Sequence, residues 1–236
     1  MEQHKTSIII LAYREPETFI KMFEILLKNT SKIRTPFEII LVDNNAEPEL
    51  KKYINQLDPN CNYTLITNKE NLGTSKGFNQ GAKHATGHYL CFFNSDYYIN
   101  EGWLDSMIEC FEHQPKIGLA SCATNTSGNK DEIVGSDACF LKNDYRESEC
   151  AIAQMFTTKN IWEEVDGFSE EFFFGFEDLD FNEKIKEKGY KIFVNRKTFG
   201  FHDHDSQVKV KDEGHKQMNK SREIFRNKWG TKHSWA

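Results

Sequence analysis

The chain has 236 residues and a mass of 27.5 kDa, a size at which about 72% of the unfolded chain's surface is buried on folding, so a core needs no staples. With 38% apolar residues and a mean hydropathy of -0.66 it reads as a soluble globular protein; the longest apolar run, Ile8 to Tyr13, is too short for the ~20 residues that cross a bilayer. The net charge of -6, from 30 Lys and Arg against 36 Asp and Glu, opposes a nucleic-acid binder, whose affinity would come from a basic face.

The first half alternates strands and helices. Ser7 to Ala12 is a continuous apolar strand, followed by a helix over Glu15 to Asn29 whose face carries Phe19, Ile20, Phe23, Leu26 and Leu27. A strand over Phe37 to Val42, a polar helix from Pro48 to Leu57, a strand over Tyr63 to Thr67, a helix over Thr74 to Ala85 and a strand over His88 to Phe93 follow. Strands separated by helices predict parallel pairing with right-handed crossovers, and so an α/β sheet covered on both faces. The second half is less regular and reads as a small α+β portion added to that sheet. A helix over Glu101 to His113 leads to strands over Ile117 to Cys122 and Ala138 to Lys142, separated by loop chemistry from Asn125 to Asp137. A strand over Ala151 to Thr157, a short helix to Val165, an aromatic stretch over Phe172 to Phe176 and a helix over Asp178 to Lys188 come next. Strands over Tyr190 to Val194 and Thr198 to Phe201, then a basic helix to Lys228, complete the pattern. With no repeat or linker, residues 1–236 are expected to form a single domain.

The six cysteines, Cys61, Cys91, Cys110, Cys122, Cys139 and Cys150, have no Cys-x-x-Cys or metal-ligand spacing. Together with the absence of a secretory cleavage pattern they predict reduced thiols in a cytoplasmic protein.

Ligands of open α/β sheets bind beyond the carboxyl ends of the strands. The first strand ends in Tyr13-Arg14-Glu15, the second in Asp43-Asn44-Asn45, the third leads to Asn71-Leu72-Gly73, and the fourth ends in Asn94-Ser95-Asp96. Each Asp alone is explained by a turn or a helix cap, but four polar edges on one rim predict a ligand site. Gly73, Gly77 and Gly81 recur every four residues, a small-residue stripe suited either to a ligand or to close helix-to-sheet packing. Dinucleotide-binding and P-loop glycine patterns are both absent.

Ser7-Ile-Ile-Ile-Leu-Ala-Tyr, Glu38-Ile-Ile-Leu-Val-Asp-Asn-Asn, Asn71-Leu-Gly with Gly77-Phe-Asn-Gln-Gly, Phe92-Phe-Asn-Ser-Asp and Phe173-Phe-Gly-Phe-Glu-Asp-Leu-Asp-Phe closely resemble, in order and spacing, the family 2 glycosyltransferases of GT-A fold. The closing segment Phe225-Arg-Asn-Lys-Trp-Gly is similar too, so the resemblance covers nearly the whole chain. It implies transfer of a sugar from a nucleotide diphosphate-sugar, uracil-based first and thymine-based next, to a glycan or other hydroxyl acceptor. Residues 1–100 then form the nucleotide-sugar half, and residues 101–236 the acceptor half with the C-terminal helix.

By the same resemblance, Ala12, Tyr13, Glu15 and Asp43 match the nucleotide site, with the Asp43 carboxylate accepting the base's ring N–H. Asn71, Gly73 and Lys76 match positions lining ribose and phosphate. Asn94-Ser95-Asp96 stands in place of the family's Asp-x-Asp, whose last carboxylate holds a divalent ion, Mn²⁺ or Mg²⁺, on the diphosphate. Asn94 departs from that pattern and resembles a rhamnosyltransferase-like subgroup. A hard cation on oxygen ligands neutralises the leaving diphosphate. His202 and His204 in Phe201-His-Asp-His-Asp-Ser lie at strand spacing near that position; His202 suits a metal ligand and an exposed strand end equally, and His204 the latter. Glu177 and Asp178 match the acceptor-side pair, with Asp178 as general base of an inverting displacement and Glu177 orienting acceptor or sugar. Helix capping explains one of Glu177, Asp178 and Asp180, but not three. The aromatic stretch, Trp103 and Trp162 suit either sugar stacking or core packing.

Two rival classes remain at this level: a catalytically silent sugar-nucleotide-binding module, favoured by the neutral Asn94, and a sugar-1-phosphate nucleotidyltransferase, disfavoured because Ala12-Tyr-Arg-Glu-Pro-Glu lacks glycine. The basic residues Lys209, Lys211, Lys216, Lys220, Arg222, Arg226 and Lys228 suit a solvated helix face or peripheral contact with an anionic membrane.

Overall fold

The computed structural model describes residues 4–30, 33, 35–58, 62–135, 141–152, 154–203 and 213–230. In chain order the elements are β1 (Thr6–Ala12), α1 (Pro16–Thr30), β2 (Phe37–Asp43), α2 (Pro48–Asn55), β3 (Tyr63–Thr67), α3 (Gly73–His84), β4 (Tyr89–Phe93) and β5 (Tyr97–Ile99). There follow α4 (Trp103–His113), β6 (Ile117–Thr124), β7 (Tyr145–Ser148), β8 (Gln154–Thr158), α5 (Lys159–Glu164), α6 (Glu177–Glu187), β9 (Lys191–His202) and α7 (Glu213–Trp229). Among the described residues the strands form one nine-stranded sheet in the order β3-β2-β1-β4-β8-β6-β9-β5, with β7 also on β9.

The expected parallel core is present: β2 pairs with β3 and with β1, and β1 with β4, all in parallel. Strand order reverses around β1, which has β2 on one side and β4 on the other, and this is the point where open α/β sheets bind ligands. β8 runs antiparallel to both β4 and β6, and β6 runs parallel to β9. β6 and β9 therefore point the same way as β4, and their ends reach the same rim.

Alternation along each strand sorts the core into two layers. Ile8, Ile10, Ile39, Leu41, Cys91 and Phe93 face α1, α2 and α4; Ile9, Ile40, Val42, Leu90 and Phe92 face α3, α5 and α6. On α1 the buried positions are Phe19, Met22, Phe23, Leu26 and Thr30; Met22 joins the expected face, Leu27 packs against it half-buried, and Ile20 is half-buried. Trp103 and Trp162 are core residues, which settles them as packing rather than sugar-stacking groups. Gly77 and Gly81 are packing positions as well: a Cβ would come within 2.9 Å of Leu11 at the first and 2.4 Å of Ile9 at the second.

Two expected strands, 190–194 and 198–201, are one. β9 is continuous, and its register to β6 shifts between Cys122 and Ala123, where partner Asn195 gives way to Phe199. The polar Asn195-Arg196-Lys197 that breaks the apolar pattern is the bulge, with Asn195 Nδ2 bound to Ser106 O at 2.8 Å. The strand expected over Ala138 to Lys142 falls mostly on residues 136–140, outside the described ones; Leu141 and Lys142 are not in a strand. Among the described cysteines, Cys91, Cys110, Cys122 and Cys150 are buried free thiols; Cys61 and Cys139 lie outside the described residues.

One buried carboxylate ties the far end of the sheet. Glu38 accepts from Lys5 Nζ at 2.7 Å, Ser7 Oγ at 2.6 Å and Thr86 N at 2.8 Å. Burial raises its pKa, but Lys5, Ser7 and Thr86 together outweigh this and bring it from 4.5 to about 2. A depressed carboxylate stabilises the fold above its unfolded pKa and loses that contribution as pH falls towards the folded value, here on the order of 3 kcal/mol. Urea unfolding of Glu38→Gln against the unmodified chain should show a gap at pH 7 that narrows steadily below pH ~4.5. An equal gap at pH 7 and pH 3 would remove the ionised carboxylate from the account.

Candidate active site

The sequence-predicted residues gather along the rim as three groups. In the first, Ala12 and Asp43 are register partners at the ends of β1 and β2. Asp43 is buried and its Oδ1 accepts from Ala46 N at 2.7 Å, so the turn role is present. Tyr13 and Glu15 are half-buried, with Tyr13 O accepting from Glu47 N at 2.9 Å and Glu15 in the left-handed region at φ 59°. Asn71 and Gly73 are organised by Asn44, a residue not singled out from sequence. Asn44 Nδ2 donates to Asn71 Oδ1 at 2.8 Å and Gly73 O at 3.1 Å, and its Oδ1 accepts from Leu72 N at 3.0 Å. Its place beside Asp43 at a strand end was the available signal. Gly73 opens α3 at φ +81°, and a Cβ there would lie 2.5 Å from Phe173 O, so only glycine fits. Lys76 is exposed on the first turn of α3.

The second group lies beyond β4 and β9. Asn94, Ser95 and Asp96 are half-buried, and His202 Nε2 stands 3.4 Å from Asp96 Oδ2. Asp203 N donates to Asp96 O at 2.9 Å, and Tyr98 Oη donates to Asp203 Oδ2 at 3.0 Å. Asn125 grips the His202 backbone, accepting from its N at 2.7 Å and donating to its O at 3.1 Å. Burial lowers the His202 pKa, but Asp96, with smaller contributions from the Thr126 backbone and the Glu132 charge, more than offsets this, and the net shift is upward. Neighbouring ligands on an octahedral cation at about 2.0–2.5 Å lie roughly 2.9–3.5 Å apart, so the Asp96–His202 spacing fits one ion. The described residues hold no group of three His, Cys, Asp or Glu able to bind a metal, so phosphate or water oxygens would complete the shell. His204 lies outside the described residues.

The third group opens α6. Its three carboxylates have separate jobs. Asp180, fully buried, accepts from Trp229 Nε1 at 2.8 Å, Lys228 Nζ at 2.7 Å and Ser169 Oγ at 2.5 Å, and so fastens α7 to the domain. Asp178 Oδ1 accepts from Leu179 N at 2.8 Å. Glu177 Oε2 is buried with no hydrogen-bond partner among the described residues. Burial pushes both Asp178 and Glu177 well up from the carboxylate range, and the Asp178 charge pushes Glu177 further. The two neighbouring carboxyls therefore titrate as a pair, above the ordinary carboxylate range.

The aromatic stretch divides. Phe172 and Phe176 pack with Phe225 in a third core cluster, while Phe173 and Phe174 are each 37% exposed. Phe173 O accepts from Thr74 N at 2.7 Å, which joins the start of α3 to the loop before Glu177.

The family model described as "Glycosyl transferase family 2" matches residues 7–179. Polypeptide N-acetylgalactosaminyltransferase 11 of Xenopus tropicalis is 35% identical over 120 residues, covering 47% of this chain and 19% of that protein. Poly-beta-1,6-N-acetyl-D-glucosamine synthase of Staphylococcus aureus is 27% identical over 130 residues, covering 55% and 30%. The solved structure of GalNAc-T7 with UDP, GalNAc and Mn²⁺ superposes with a TM-score of 0.66 at 16% identity, over 85% of this chain and 44% of that one. The matched regions thus span less than a third of the two curated relatives' lengths.

Proposed function

The chain belongs to glycosyl transferase family 2, a glycosyltransferase of GT-A fold, and on that premise we propose that it moves a sugar from a UDP-sugar to an acceptor hydroxyl with inversion. The observation that carries this reading is the Asp96–His202 pair, 3.4 Å apart, at the rim where the strand order reverses. UDP and Mn²⁺ in the GalNAc-T7 structure support the donor base and the metal.

In this reading residues 1–236 act as one catalytic domain. Ala12, Tyr13, Glu15, Asp43, Asn71, Gly73 and Lys76 bind the nucleotide, and Asn94 and Ser95 line the diphosphate. Asp96 and His202 would hold Mn²⁺ or Mg²⁺, which supplies positive charge against the departing diphosphate. Asp178 takes the acceptor proton as the hydroxyl oxygen attacks the anomeric carbon, and the sugar–phosphate bond breaks on the opposite side. Glu177 orients the acceptor or sugar. The acceptor is a glycan or another hydroxyl compound. We place the reaction in the cytoplasm, where α7's basic residues allow contact with an anionic membrane; no helix among the described residues is long and apolar enough to cross one.

Calorimetry with UDP and CDP in the presence of Mn²⁺ tests the donor assignment. Asp43 accepts the uracil N3–H in a charge-assisted bond, so Asp43→Ala should weaken UDP by about 1.5–3 kcal/mol. CDP, which lacks that N–H, should bind poorly to the unmodified chain. Equal UDP affinity in the two proteins would take base recognition away from Asp43, and no UDP binding at all would remove the UDP-sugar reading.

A further inference from the structure

Glu132 is fully buried, yet it lies in a stretch whose composition is that of a solvated loop. Its carboxylate gathers three separate segments. Oε1 accepts from Ser121 Oγ of β6 at 2.6 Å and from Ile152 N before β8 at 2.9 Å, and Oε2 accepts from Ser127 Oγ. Its backbone closes the same loop onto the sheet, with Thr124 N donating to Glu132 O at 2.8 Å and Val134 N to Thr124 O at 3.1 Å.

Two paths lead outward from this carboxylate. Through Ser127 it fixes the loop that begins at Asn125 and Thr126, and those two residues hold His202: Asn125 by its backbone, and Thr126 O by facing His202 Nδ1 at 3.4 Å. Through Ile152 it fixes the segment that Asn182 grips from the other side. Asn182 Oδ1 accepts from Ala151 N at 2.7 Å, and its Nδ2 donates to Ala151 O at 2.7 Å and to Asp178 O at 2.6 Å.

We propose that Glu132 is a positioning residue that joins the two sides of the active site, holding the His202 loop and the Asp178 helix in one fixed arrangement. The proposal rests on the reading of His202 as a metal ligand and of Asp178 as the base. The electrostatics agree with the placement: burial pushes the Glu132 carboxyl up to about 7, against the pull of its three hydrogen bonds, and the Asp178 charge adds to the rise. The cost of desolvating a carboxyl is expected to be tolerated only where its hydrogen bonds hold something in place.

Glu132→Gln keeps the acceptor for Ser121 and Ile152, while Glu132→Ala removes every tie. Two measurements separate positioning from general stability, both made well below the melting temperature. Amide exchange without any ligand should rise at least about tenfold at His202 in Glu132→Ala, because its N–H bond to Asn125 loosens. Mn²⁺ affinity in the presence of UDP should fall by about 10–100-fold, the usual loss when a metal ligand's support is removed. Glu132→Gln should stay within about threefold of the unmodified chain in both. If Glu132→Ala is too unstable, Ser127→Ala cuts the loop tie alone and should raise exchange at His202 but not across 150–152. Unchanged exchange at His202 in Glu132→Ala, or in Ser127→Ala where the former does not fold, would overturn the proposal; so would a Gln variant as damaged as the Ala one. Absence of Mn²⁺ binding by the unmodified chain would instead contradict the metal reading and leave the exchange result to decide.

Discussion

Asp178→Asn is expected to lower sugar transfer by roughly 10²–10⁴-fold while UDP binding stays within about twofold of normal. The substitution keeps the side-chain shape and its acceptor for Leu179 N, which the carboxylate holds at 2.8 Å, and removes only the basicity. A sugar hydroxyl attacks poorly until a base within reach takes its proton, so the loss should appear in kcat rather than in donor affinity. The choice of Asp178 over Glu177 rests on the family resemblance. Burial raises both carboxyls, which titrate as a pair. Glu177→Gln, which leaves Asp178 in place, should cost much less. A raised base pKa also sets the pH profile: the base works only when deprotonated, so activity should fall as pH drops through a value above the ordinary carboxylate range of about 3.9–4.3. Near-normal turnover in Asp178→Asn with collapse in Glu177→Gln would move the base by one residue, and activity in both would exclude a single-base inversion.

Asp96→Ala should carry the second large effect. As the candidate ligand facing His202 across 3.4 Å, its loss should exceed the 10–100-fold penalty typical of groups that only support a ligand, so Mn²⁺-dependent strengthening of UDP binding should vanish. UDP affinity measured in chelator should be the same in Asp96→Ala and the unmodified chain, because the substitution leaves the proposed nucleotide contacts around Asp43 and Asn71 untouched. His202→Ala should give a smaller loss in the same direction, since a neutral imidazole ligand lacks the carboxylate's charge attraction for the cation. Undiminished Mn²⁺ enhancement in Asp96→Ala would place the metal elsewhere.

The rim built from β1 to β4 was legible in the sequence because β1, β2 and β4 are continuous apolar strands buried on both faces, and each of the four strands leads into polar residues. Placing Asp43, Asn71, Gly73 and Asp96 on that rim needed only the rule that parallel strands deliver their ends to one edge; the roles proposed for them came from the family resemblance. Other features depend on partners far away in the chain. Asp178 and Asp180 are two residues apart on one helix, and only the approach of Trp229 and Lys228 makes Asp180 an anchor. β5 has three residues and pairs with β9 through Tyr97 to His202, a contact no local periodicity encodes. β7 carries Arg146 and Glu147 on an exposed edge, where alternation is too weak to announce a strand. Glu132 is the extreme case: Ser127, Gly128, Asn129 and Lys130 around it read as solvated loop, and its burial arises only when β6 and the segment before β8 close over it.

Nucleotide release from a panel of UDP-sugars, followed over time with Mn²⁺ and again with excess chelator, tests the central claim most directly. The account predicts UDP released from at least one donor with Mn²⁺, little or none in chelator, and little or none from Asp96→Ala under either condition. Equal release in chelator and Mn²⁺, or release by Asp96→Ala at the rate of the unmodified chain, would contradict it.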